Sequence, residues 1–102
     1  GISVSRNDVG DVYKTISKLY EDSEIKIHPV YLKKTLNNAG RKFTYAKIRI
    51  CFDILSEVGL IKYSYLPNKN HSEGNVYLIT SVNNTKTSLE NSETYRKLKA
   101  EY

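Results

Sequence analysis

Apolar positions along the chain follow two different periods, and the switches between them divide it into elements. Val9, Val12, Tyr13, Ile16, Leu19 and Tyr20 recur at helical spacing, which predicts a first helix over residues 6–20. Ser5 followed three residues later by Asp8 is a capping-box-like start. Residues 23–27 alternate polar and apolar, as a short half-buried strand does. His28-Pro29 marks the next boundary, because proline suits the first turn of a helix and not its interior. Leu32 and Leu36 lie one turn apart, so a second helix is predicted over residues 30–38, and Asn37-Asn38-Ala39-Gly40 stops it.

The stretch over residues 43–61 organises the rest. Ile48, Cys51, Phe52, Leu55 and Val58 stack on one face of a third helix. Thr44 is placed to cap its start and Gly59 to end it in the left-handed conformation. The opposite face carries Ala46, Lys47, Arg49, Ile50, Asp53 and Glu57. One reading of this face is nonspecific nucleic-acid contact, and another is a protein contact in which Ile50 and Ile54 sit under the C-terminal segment or a partner. Residues 60–66 and 76–80 read as strands, joined by a polar, turn-rich loop. Helix, strand, helix, helix, strand, loop, strand is the order of a winged helix-turn-helix. The expected fold class is α+β, with a winged-helix-like domain over residues 1–82. Residues 83–102 are expected to be a helical extension docked on it. Within the extension, Ser88-Leu89-Glu90 suits a helical turn and Ser92 can cap a last helix. Tyr95, Leu98 and Tyr102 then form one stripe.

Composition narrows the function. The 102 residues fit one modest core, and no apolar run is long enough for a membrane-spanning helix. No signal-peptide pattern opens the chain. A start at Gly1 and the lack of any methionine point to a piece excised from a longer protein. Cys51 is the single cysteine and lies on the apolar helix face, which suits core packing in a reduced, cytoplasmic setting. The net charge is +5, and it is concentrated: residues 26–69 hold nine basic side chains against two acids, Asp53 and Glu57. Such a segment is the footprint of a polyanion binder, or else a solvated lysine-rich surface.

Catalysis has little to work with. His28 and His71 stand apart from any ligand-spaced cluster, and the five glycines form no phosphate loop. The candidate nucleic-acid contacts are Lys33, Lys34, Arg41, Lys42, Lys47, Arg49, Lys62 and Lys69. No catalytic residue, metal ligand or cofactor is assigned. Asp53 and Glu57 on the exposed helix face oppose a duplex backbone, so nonspecific contact is favoured over operator reading. Among nine tyrosines, Tyr13, Tyr20 and Tyr45 read as core packing. Tyr63, Tyr65 and Tyr77 in the second and third strands are candidates for stacking on unpaired bases.

Three motifs carry a resemblance. Ser5-Arg6-Asn7-Asp8 with Val12-Tyr13-Lys14, residues 47–61, especially Phe52 and Glu57-Val58-Gly59-Leu60-Ile61, and residues 88–95, reading SLENSETY, together cover nearly the whole chain. They resemble the C-terminal accessory domain of Firmicutes-type RecJ exonucleases, although Val9 stands where an aromatic is expected. The resemblance implies a parent enzyme that digests single-stranded DNA from its 5′ end in recombination and repair. Its divalent metal, Mn or Mg, and its nuclease motifs belong to a catalytic core that this chain does not contain. The implied partners are DNA, chiefly single-stranded and weakly held, the rest of the exonuclease chain, and a repair protein, with no membrane. The alternatives are a free-standing winged-helix regulator that binds duplex DNA, and a module devoted to protein docking.

Overall fold

A computed structural model describes residues 3–38, 40–67 and 75–100. The chain runs through α1 (Arg6–Leu19), β1 (Ile25–Ile27), α2 (Pro29–Asn38) and α3 (Tyr45–Glu57), then β2 (Ile61–Pro67), β3 (Asn75–Val82), a 3₁₀ turn (Leu89–Asn91) and α4 (Glu93–Ala100). Among the described residues these make a mixed α+β unit of four α-helices and one antiparallel sheet, with strand order β1-β3-β2. No helix among these residues is long and apolar enough to cross a membrane.

Local chemistry sets the helix ends. The Ser5 hydroxyl accepts from the Asp8 amide at 3.1 Å while the Asp8 carboxylate accepts from the Ser5 amide at 2.9 Å, a complete capping box. Tyr20 lies one residue past α1 in extended conformation. The Thr44 hydroxyl accepts from the Lys47 amide at 3.1 Å and starts α3. At the other end Gly59 adopts φ +82°. There the Leu60 amide donates to Leu55 and the Gly59 amide to Ser56, which satisfies carbonyls the helix leaves open.

β3 is the central strand. It pairs Ile25 with Ile79 on one side and Tyr65 with Tyr77 on the other. An irregularity between Lys62 and Tyr63 shifts the β2 register. The Phe52 ring sits on the sheet, stacked on Tyr77 at 4.0 Å and edge-on to Tyr63 at 5.2 Å. Val12, Ile16, Leu32, Leu36, Ile48, Cys51 and Leu55 close the same core. Burial pushes the Cys51 thiol up to about 12, so it stays protonated and inert as packing.

The expected one-sided burial of α3 needs correction. Ile54 is fully buried within the core and Ile50 packs against it, while Val58 is only half-buried. The reason is that α1, α2, β2 and α4 all pack against α3, so its apolar sector wraps further around than a single stripe.

Glu57 carries much of the α4 attachment. Its carboxylate accepts from the Ser92 hydroxyl at 2.8 Å and from the Thr94 amide at 2.9 Å, and also from the Thr94 hydroxyl. Ser92 in turn accepts from the Tyr95 amide at 3.1 Å, and Tyr95 is buried in the main core. Partial burial acts to raise the Glu57 carboxyl, but hydrogen bonds from Thr94 and Ser92 outweigh it and hold the group below its ordinary range. Glu90 joins the two chain ends by pairing with Arg6 at 3.1 Å and Lys99 at 3.0 Å. Residues of the closing motif thus attach the last helix. Glu57→Ala is expected to remove about 1–2 kcal/mol, the scale of a lost helix cap. Amide exchange should then speed up over 95–99 and remain slow in α1.

Candidate nucleic-acid interface

The eight basic candidates reach very different surroundings. Arg41 and Lys47 turn inward to α1. Arg41 hydrogen-bonds the buried Asp8 carboxylate and lies 3.0 Å from Asp11, and Lys47 Nζ lies 3.0 Å from Asp8. Lys47 also rests over the Phe43 ring at 5.1 Å. Burial acts to raise the Asp8 carboxyl, but the Ser5 amide, Lys47 and Arg41 bring it down to about 2. This is a structural ion cluster in which two cations are matched by the two acids of α1.

Lys33 and Arg49 each lie over a ring that lines a second place. A cleft of about 450 Å³ opens where the start of α2, the start of α3 and the sheet converge, and its lining includes His28, Val30, Tyr45, Arg49, Tyr65 and Tyr77. Lys33 Nζ sits 4.6 Å from the centre of the Tyr45 ring, and the Arg49 guanidinium 4.3 Å from that of Tyr65. Such cation–ring contacts hold long basic side chains in defined positions. Arg49 also faces Asp53 at 3.8 Å, with both side chains about two-fifths exposed, a pairing that contributes little. Asp53 is itself held by the Tyr63 hydroxyl, whose pKa burial and this carboxylate push up to about 12.

Lys34, Lys42 and Lys62 are exposed and make no ion pair with a described residue. Lys69, His71 and Tyr102 lie outside the described residues. Tyr13 follows the packing expectation: it lies against the core and its hydroxyl donates to the Asn83 carbonyl.

Tyr45 corrects one. It is 47% exposed, because as the first residue of α3 it stands at the helix's open end. Tyr77, by contrast, is buried against Phe52. The spacing of Tyr45 and Arg49, one helical turn apart, was the available signal for the cleft. Nothing local tied either to Lys33 or Tyr65.

Among the described residues, no group of three or more His, Cys, Asp and Glu is placed to hold a metal ion. Comparisons with protein-family models, curated proteins and solved structures give no match for this chain.

Proposed function

We propose that the chain is a winged-helix module that grips single-stranded DNA weakly, as a non-catalytic accessory domain of a RecJ-type exonuclease. The observation that carries the binding reading is the set of cations that stay outside the ion cluster on α1. Arg49 lines the cleft at the start of α3, Lys33 lies over the Tyr45 ring that also lines it, and Lys34 and Lys42 lie exposed on α2 and just before α3. The winged-helix reading draws support from the element order and from the β1-β3-β2 sheet with its β2–β3 hairpin. The RecJ reading draws on the motif resemblance alone. The protein-docking alternative rested on Ile50 and Ile54, of which Ile54 is fully buried and Ile50 half-buried.

Fluorescence anisotropy with labelled single- and double-stranded oligonucleotides, at low and near-physiological salt, tests the proposal. Single strands should bind more tightly than duplex. Contacts from Lys33, Lys34, Lys42 and Arg49 should give a log–log salt slope of about −3, at about −0.7 per phosphate on a single strand. Replacing Lys34 and Lys42 together by Ala should flatten that slope by roughly 1.4 without lowering stability. Preference for one duplex sequence would favour a regulator, and no binding at low salt would reject the proposal.

A further inference from the structure

An electrostatic grip needs only scattered lysines, yet the cleft beside α3 is built largely of rings. Phe52, Tyr77 and Tyr65 form a column from the core outward, with successive ring centres 4.0 and 4.6 Å apart. The Arg49 guanidinium closes it at 4.3 Å from Tyr65. Tyr65 and Tyr77 are direct cross-strand partners, so the sheet fixes the column's spacing. Arg49 is thereby held at the cleft before any ligand arrives. Tyr45 lies one turn earlier on the same helix and lines the same cleft. Tyr45 is 47% exposed and Val30, which also lines the cleft, 41%, so both present apolar surface to solvent there.

Resting on the nucleic-acid reading above, we infer that this cleft is a base-stacking subsite: Tyr45 and the ring-held guanidinium of Arg49 receive one unpaired base of a DNA strand. Several properties of the cleft favour this occupant over a peptide or a closed duplex. Arg49 in its lining and Lys33 over the Tyr45 ring both lie against aromatic surface, which matches the alternation of phosphate and base along a nucleotide chain. Aromatic rings and guanidinium planes are the surfaces on which unpaired bases stack. At about 450 Å³ the cleft falls within the roughly 300–1,000 Å³ of small-ligand sites, and paired bases in a duplex do not present a free face to it. Stacking is also indifferent to base identity, so the subsite adds affinity for single strands without reading sequence.

The test compares labelled oligo-dT with an oligomer of the same length made of abasic residues, which keeps every phosphate and lacks every base. The protein should bind oligo-dT about 10-fold more tightly than the abasic strand. Tyr45→Leu should erase that difference and leave the salt slope unchanged, and Tyr45→Phe should restore it. Because Tyr45 is exposed, a thermal melt should show both variants folded. Equal affinity of the wild-type protein for the two strands, with salt-dependent binding intact, would overturn the stacking subsite and leave the electrostatic grip standing. Retention of the preference in Tyr45→Leu would also overturn it. Absence of binding to both strands would reject subsite and grip together.

Discussion

Phe52→Ala is expected to destabilise the domain by roughly 3–5 kcal/mol, the cost of truncating a fully buried aromatic side chain. Phe52 touches more than one layer at once. It stacks on Tyr77 of the central strand, meets the edge of Tyr63 on β2, and belongs to the helix against which α1, α2 and α4 all pack. A cavity there cannot be filled by moving one neighbour, because each neighbour is held by its own element. In a domain of about this size the loss lowers the melting temperature by roughly 15 °C or more. Phe52→Leu keeps most of the volume and should recover much of the loss. A melt within a few degrees of wild type would remove Phe52 from the centre of the core.

Asp8→Ala should be nearly as damaging, at about 3 kcal/mol, although the residue is polar. It undoes the capping box that starts α1 and strands Arg41 and Lys47, whose side chains are only 35% and 18% exposed. The same group makes stability depend on acid. Its carboxyl is depressed from 3.8 to about 2 in the folded chain, so its contribution is fully present above about pH 4. As the pH falls toward 2 the carboxylate takes up a proton and about 2 kcal/mol is lost. Urea denaturation at pH 7 and pH 2.5 should show this loss for the wild type, and Asp8→Asn should remove most of the acid sensitivity. An unchanged pH profile in that variant would mean other carboxylates are responsible.

Signals confined to one turn of chain were legible in the sequence. Ser5 with Asp8, Thr44 and Gly59 each mark a helix end through contacts within a few residues, and the periodic apolar positions place the helices between them. Contacts across the fold were not legible. Nothing near Asp8 indicates that Arg41, 33 residues away, folds back onto it. A basic segment therefore overstated the charge available to a ligand. Nor does the pattern around Glu57 reveal that this acid caps a helix 37 residues further on. Read as a surface charge repelling DNA, it is an attachment point for α4. Ile54 was misplaced for a related reason: a single amphipathic stripe assumes one packing partner, and α3 has several. The cleft was half visible. Tyr45 and Arg49 share a helix face, but Lys33 and Tyr65 reach them only through the packing of α2 and the sheet.

The division of cations into those held in the α1 ion cluster and those left exposed bears directly on mutagenesis. Arg41→Ala and Lys47→Ala should act first on stability, and a change in DNA binding at those positions should follow unfolding rather than a lost phosphate contact. Lys34 and Lys42 are the cleaner probes of binding.

The central claim is that single-stranded DNA lies against the start of α3. Titrating unlabelled oligo-dT into the isotopically labelled protein and following backbone and side-chain NMR shifts tests it most directly. Changes are expected to concentrate at Val30, Lys33, Lys34, Tyr45, Arg49 and Tyr65, with α1 and α4 unmoved. Shifts centred on α1 or α4, or none at concentrations that saturate binding, would contradict it.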